Sequence, residues 1–542
     1  MAAEQEYRRA LGRDSTFALA WFRLALTRGW LVGETDSIAT DAINRATLFK
    51  DRLPTHEQAM VRAYAAFLSW RMQEARGIYD SLLARNPNDA DAWYGLGDAW
   101  FHDTQIPEPA NRFTPALRAF RRALAIDPGY ALAFEHVQNV LAQASRIKPP
   151  YVLVNDSTIV PRYGANGREL DSASVALGIG RARQQAITLA REWVNSQPAT
   201  ARAHAALVSA NLAAGDWNAA DQEISRFRSV NPTSPEPPFD LARFHLARGD
   251  MDRAARELAP ALDSLTDVDL DRIAGAPDIA NRLAAAANVF AYRGNLARAA
   301  RVIDIANRVR LGVVAAGSPQ ALDRDTWNWA MLGELYAAAG GPPAAMRRVW
   351  ANALEASRSV PSPRRERVLS SGGAAAIGLF ASPEADDDAL DQFESLSSAP
   401  IAKEVRALRA IERQDPKAAR RVLEEPDKEV AKGTMKERDG FTIFRKPIAA
   451  YVYLDLDEPQ RTLDLLEGFE PQYLDAEHFD MRWGAVGRVR LLRAAAYEKL
   501  GQYEAAKEQY QLALDQWREA DPDLMPYIQQ AQAGLARLAG RG

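Results

Sequence analysis

MQEARGIYDSLLARNPNDADAWYGLGDAWFHDTQIPEPANRFTPALRAFRRALAIDP, residues 72–128, is the stretch whose reading decides the fold. Ala75, Tyr79, Leu82 and Pro87 stand at spacings of 4, 3 and 5, and Ala116, Phe120, Ala123 and Pro128 repeat those spacings. Trp93, Leu96, Gly97 and Trp100 lie between the two sets. Apolar residues three and four apart share one face of a helix, so the stretch reads as amphipathic helices separated by turns. Small and large residues are mixed on that face for a steric reason. Ala75, Gly97 and Ala116 mark the points where paired axes close to about 8–10 Å. Tyr79, Trp93 and Phe120 fill the space between the helices, and Pro87 and Pro128 stop one helix and open the next turn.

This pattern resembles the tetratricopeptide repeat, a helix–turn–helix unit of about 34 residues. The resemblance implies an all-α fold: a right-handed α–α superhelix of about twelve helix pairs in which each unit packs on its neighbours, ended by a C-terminal capping helix. Outward from residues 72–128 the motif can be followed through nearly the whole chain. Residues 3–12 read as the second helix of a repeat that lacks its first, which suggests a cut from a longer polypeptide or a short helical cap. Trp21, Leu24 and Ala25 open the first full repeat, and Leu53-Pro54 precedes the second, with Thr55 as its expected N-cap. Phe134, Val137 and Leu141 follow, then the pattern stops over 145–172. Within that insertion, β-branched runs on either side of Asn155-Asp156 predict a short hairpin. Ala186, Ala190, Trp193 and Pro198 restore the rhythm. His204, Leu207 and Val208, and later Trp329, Leu332, Gly333 and Tyr336, open further repeats. From about 360 to 470 only a helix-pair rhythm persists, with pairs expected near 363–396, 400–424 and 442–467 and a polar connector at 426–441. Ala494, Tyr497, Gly501, Tyr503 and Tyr510 make the last clear repeat, and 523–538 reads as the cap. Three segments result: 1–261, an N-terminal array with the insertion; 262–360, central repeats; and 361–542, degenerate repeats ending in a clear one.

Composition narrows the function. The 542 residues carry 67 Lys+Arg against 71 Asp+Glu, net charge −4, and no cysteine. That balance gives no basic footprint for nucleic acid, and the missing thiols exclude disulfides, thiolate nucleophiles and Cys-ligated metals. No run of about 18 apolar residues that could cross a membrane occurs. The start, MAAEQEYRRALGRDS, has no apolar h-region of a signal peptide. Catalytic constellations are missing as well. Gly178-Ile179-Gly180 is followed by Arg-Ala-Arg, so it is no dinucleotide fingerprint. The six histidines, His56, His102, His136, His204, His245 and His478, are scattered. Asp267, Asp269 and Asp271 alternate as in a calcium loop, but Arg272 and Asp278 stand where Gly and Glu belong, so a solvated acidic loop is expected. Asp386-Asp387-Asp388 is expected to favour a helix N-terminus. No catalytic residue, cofactor or metal ligand is assigned, and the chain is read as not an enzyme.

The resemblance also implies where binding occurs. The family lines its inner face with first-helix residues at repeat positions 2, 5, 9, 12 and 13. Here those are Asp91, Tyr94, Asp98, Phe101 and His102; Phe22, Leu26 and Trp30; Glu135 and Asn139; Arg202 and Ser209; Arg243; and Trp327 and Glu334. Aromatic anchors with a polar rim suit a peptide or protein surface. The Lys/Arg pattern that clamps a C-terminal carboxylate is missing from the first three repeats. The expected function is therefore a non-catalytic scaffold holding a protein or peptide in a concave groove. The order of units FALAWFRLA, DADAWYGLGDAWFHD and RRALAIDPGYALAF also resembles repeat regions attached to bacterial sensor proteins such as membrane-bound Ser/Thr kinases. That resemblance implies a second reading, the sensory or regulatory part of a larger signalling protein, in the cytoplasm or outside it. A third is self-assembly, because a solenoid with open ends can stack on further copies of itself.

Overall fold

A computed structural model describes residues 2–540, except 33–35, 147–148, 164–167, 231–235, 274–276, 313–318, 362–363, 381–401, 426–440 and 477. Among the described residues there are twenty-six α-helices and a single two-stranded sheet. The chain is an all-α helical-repeat solenoid. Its packing divides into two compact units, Met1–Asp240 and Leu241–Gly542. The expected triple Asp386-Asp387-Asp388, and all of the expected connector at 426–441 but its last residue, lie outside the described residues.

In the first unit the helices follow one another as the spacing predicts. They are α1 (Ala2–Arg13), α2 (Ala18–Val32), α3 (Ser37–Leu48), α4 (Thr55–Leu68), α5 (Met72–Arg85), α6 (Ala90–Phe101), α7 (Pro109–Ile126), α8 (Ala131–Ala144), α9 (Ser172–Ser196), α10 (Ala201–Ala214) and α11 (Trp217–Val230). Each packs on the next, and α4 also reaches α6, and α8 reaches α10, so alternate helices share a face. Asp36 and Asp89 cap α3 and α6 by accepting the backbone N–H of Ala39 and Ala92 at 3.0 Å. Thr55 is the first helical residue and not the cap: Pro54 stands at the cap, with no side-chain hydrogen bond. A proline there still fits, because it needs no N–H at an end where donors are unpaired anyway.

Small residues set the helix spacing. A Cβ on Gly97 would lie 2.6 Å from Cε1 of Phe120, and one on Gly95 would run into the ring of Tyr79. Thus α6 is gripped by one ring from α5 and another from α7. Both rings are buried, Tyr79 at 3% exposure and Phe120 at 0%.

Within the insertion, residues 151–161 form a hairpin. Strand β1 (Tyr151–Leu153) pairs antiparallel with β2 (Ile159–Pro161), and Tyr151 faces Pro161 across it. Tyr151, Val152, Leu153 and Ile159 are buried. Thr114 on α7 donates its hydroxyl to the Ile159 carbonyl at 3.2 Å and accepts the Ile159 N–H at 3.1 Å. Val152 sits over Gly178 of α9, where only a missing Cβ leaves room. The hairpin therefore fills the gap between α7, α8 and α9 that the interrupted repeat leaves.

The second unit departs from nearest-neighbour packing. Its helices include α12 (Met251–Ser264), α13 (Asp267–Ile273), α14 (Pro277–Arg293), α15 (Leu296–Leu311), α16 (Pro319–Ala339), α17 (Pro343–Arg358) and α18 (Arg364–Phe380). After two weaker pairs, Ala402–Glu412 with Pro416–Glu424 and Phe441–Asp455 with Pro459–Leu465, come α19 (Arg482–Lys499), α20 (Tyr503–Gln516) and the capping helix α21 (Met525–Leu538). Helix α19 packs back against α14 and α16, far earlier in the chain. Gln516 donates to the Tyr292 carbonyl at 2.6 Å, the Asp521 N–H to the Gly294 carbonyl at 3.0 Å, and Asn288 to the His478 carbonyl at 2.8 Å. The acidic stretch expected as a loop is helix α13. Thr266 caps it by accepting the Asp269 N–H, and Arg308 pairs with Asp267 at 2.5 Å and with Asp271 at 3.3 Å.

Gly97→Leu forces a side chain into the Phe120 ring and is expected to cost about 1–3 kcal/mol or more. Thermal unfolding followed by circular dichroism checks this, and an unchanged midpoint would show that the α6–α7 contact is misplaced.

Candidate functional site

The first helices of the first unit, α2, α6, α8 and α10, bring most of the expected inner-face residues together. Trp30 on α2 donates its indole N–H to the Tyr94 hydroxyl on α6 at 3.2 Å. Tyr94 stacks on Tyr130, ring centres 5.2 Å apart. The Tyr130 hydroxyl donates to Asp91 at 2.8 Å. Arg202 on α10 pairs with Glu135 on α8 at 2.7 Å, and its guanidinium lies 5.7 Å from the Trp30 ring centre. Residues separated by 64 positions in sequence thus share one face because every second helix points the same way.

Other expected residues sit differently. Phe22 is 3% exposed and meets Tyr64 edge-on, so its ring fills the helix interface. Leu26 is partly buried against the same core. Asn139 is exposed and accepts from Gln143 at 2.8 Å. Ser209 is half-buried on α10. Arg243, Trp327 and Glu334 belong to the second unit; Arg243 is buried, and Trp327 lies under the Arg310 guanidinium at 4.7 Å.

At the centre of the first-unit face stands Asp98, one turn before His102 at the end of α6. Nε2 of His102 and Nε2 of His136, from α8, each lie 3.3 Å from its Oδ1. Rings enclose the group: Phe101 and Phe120 are each 4.8 Å from His136, and Phe67 is 5.8 Å from His102. Burial pushes the Asp98 carboxyl up, but the charge and contacts of the two imidazoles outweigh it and hold the carboxyl well below the usual range. Burial, with Asp98 next in weight, drives the Tyr94 hydroxyl far up, so it stays protonated. His136 is the residue the sequence reading passed over. It occupies position 6 of its repeat, outside the inner-face set, and enters the cluster with its Nε2 3.3 Å from Asp98. A usable signal was present: a histidine one residue from an inner-face position, in the repeat following an Asp–His pair at i, i+4.

No family model and no curated protein matches this sequence. Among solved structures, a Naa15/Naa10 complex bound to HypK is similar at 13% identity and TM-score 0.25, covering 96% of this chain and 78% of that one. The Cut9–Hcn1 hetero-tetramer of APC/C is similar at 12% identity and TM-score 0.27, covering 97% and 92%. The fold assignment rests on the helix order and packing above.

Glu334 gives a pH signature in the second unit. Burial first, and the charge of Asp480 second, push its carboxyl up from 4.5 to about 7. The folded state therefore holds a proton that the unfolded state releases near the ordinary value. Stability falls as pH rises from the unfolded value through about 7, and the full penalty is present above that. Glu334→Gln is expected to stabilise the protein by about 2–3 kcal/mol at pH 8 and to change little at pH 4. Denaturant titrations at both pH values check it, and an equal effect at the two would rule out the shifted carboxyl as the cause.

Proposed function

We propose that the chain is a non-catalytic interaction scaffold whose first unit binds a protein or an extended peptide on the face of α2, α6, α8 and α10. The observation that supports this reading is the convergence of Trp30, Tyr94, Asp91, Glu135 and Arg202 from four separate helices into one connected, partly exposed face. Here Trp30 and Phe101 keep part of their rings at the surface, beside charged groups held at fixed positions. Aromatic anchors framed by matched charges are what binding surfaces concentrate their energy in. A partner carrying both an apolar side chain and charges of either sign suits the face, because Asp91 and Glu135 offer acceptors while Arg202 and Arg23 offer donors.

The reading is tested by crosslinking mass spectrometry of the full chain in its native cells, with Trp30→Ala and Arg202→Glu as comparisons. One protein partner, crosslinked near α2, α6 and α8 and depleted about tenfold or more in both variants, is expected. A partner set that neither substitution changes, or crosslinks only between copies of the chain, would overturn it.

A further inference from the structure

Asp98, His102 and His136 form a cluster whose contacts are longer than those of the other pairs of a histidine with a buried carboxylate. Elsewhere in this molecule a histidine that pairs with a buried carboxylate closes on it: His56 Nε2 lies 2.5 Å from Asp89, and His204 Nδ1 lies 2.5 Å from Glu223. Charge-assisted contacts of this kind normally fall below about 2.9 Å. Around Asp98 both imidazoles instead stop at 3.3 Å from the same oxygen. That oxygen, Oδ1, is buried and makes no aligned hydrogen bond.

The His136 ring is held in a defined orientation. Its Nδ1 lies 2.9 Å from the Leu132 carbonyl. A carbonyl can only accept, so Nδ1 carries the proton. With Nδ1 so used, Nε2 is the ring atom turned to the Asp98 carboxylate, and at 3.3 Å the two atoms are spaced as neighbouring ligands of one cation are. A backbone carbonyl that fixes the tautomer through the distal nitrogen is also the usual outer support of a metal-ligating histidine.

We propose that Asp98 Oδ1, His102 Nε2 and His136 Nε2 bind a divalent transition-metal ion of the zinc class. With metal–nitrogen and metal–oxygen bonds of about 2.0–2.1 Å, a tetrahedral site has ligand-to-ligand edges of about 3.3–3.4 Å. Two of the three edges already have that length. One ligand atom from each residue lies within 4.8 Å of the others, so the third edge needs to close by at most about 1.5 Å, a shift that falls to the more exposed His102 ring while His136 stays in place. Two imidazoles and one carboxylate are a donor set suited to zinc. The location helps too: His102 ends α6, where the carbonyl end of the helix favours positive charge. The three side chains keep 14–26% of their surface exposed, which leaves the fourth position to water or to a donor from outside. The ion would tie α6 to α8, two helices that share the proposed binding face, although the site does not depend on that face having a partner.

The test uses the metal-stripped full chain titrated with Zn²⁺ by calorimetry, and with Co²⁺ read by its visible d–d bands. One Zn²⁺ per chain and a four-coordinate Co²⁺ spectrum are expected. His136→Gln and Asp98→Asn should each weaken binding at least tenfold and abolish the Co²⁺ bands. His478→Gln, an exposed histidine of the second unit, should leave both unchanged. Saturating Zn²⁺ should raise the melting midpoint of the wild type and not that of the two variants. His102→Gln, at a partly exposed helix end, repeats the measurement should either of those variants melt early. Absence of stoichiometric binding by the wild type, or binding that survives all three substitutions, overturns the site.

Discussion

A glycine pressed against an aromatic ring of the next helix is the contact on which both units are built. Gly95 meets Tyr79 and Gly97 meets Phe120 in the first unit; Gly487 meets Trp517 and Gly534 meets Tyr510 in the second. In each pair the ring occupies the volume that a Cβ would need. The contact has two consequences. It brings the axes close enough for the ring to be fully desolvated, and Phe120, Tyr510 and Trp517 are all at 2% exposure or less. It also restrains the rotation of one helix about its axis relative to its neighbour, because the notch lies at a single angular position on the helix. Rotation is what decides which side chains face outward, so the functional face follows from the core contact.

That dependence explains the face of α2, α6, α8 and α10. With Gly95 and Gly97 turned toward α5 and α7, the remaining sides of α6 present Asp91, Tyr94, Asp98 and His102 in one column. The column cannot be solvated like an ordinary helix surface, since α4 approaches it and His136 of α8 lies against Asp98 and Tyr94. Its polar groups are therefore used internally: Tyr94 by Trp30, Asp91 by Tyr130, Asp98 by two imidazoles. A buried polar group without partners costs about 1–3 kcal/mol, which accounts for the density of contacts here.

How far the sequence could be read varies for physical reasons. The repeat register was legible because steric size alternation leaves a local, periodic trace, and the hairpin at 151–161 was legible because β-branched runs around a turn pair do so as well. The cap of α4 was misplaced by one residue, since both Pro54 and Thr55 are tolerated at a helix start. The segment at 267–273 looked like a loop by its acids alone; its helix buries Leu270 and Ile273, packs on α15 and is capped by Thr266, contacts that lie outside the run of acids. The return of α19 onto α14 and α16 left no trace in the motif. A nearest-neighbour array predicts none of it, and the groups that make it, Asn288, Gln516 and Tyr292, are ordinary helix residues.

His136 belongs to the same class of hidden feature. Its neighbours Glu135 and Asn139 occupy positions that the repeat assigns to the inner face, whereas position 6, where His136 stands, is assigned to neither the inner face nor the packing set. Its ring is bordered by Phe101, Phe120, Tyr94 and Trp30. Two rings oriented edge-on near 5 Å or beyond hold the imidazole plane, and the Leu132 carbonyl holds its tautomer. An imidazole filling core volume alone needs neither constraint. A ring whose plane and protonation are both fixed, with its second nitrogen aimed at a buried carboxylate oxygen, is pre-organised for a cation, and the packing residues around it supply that order.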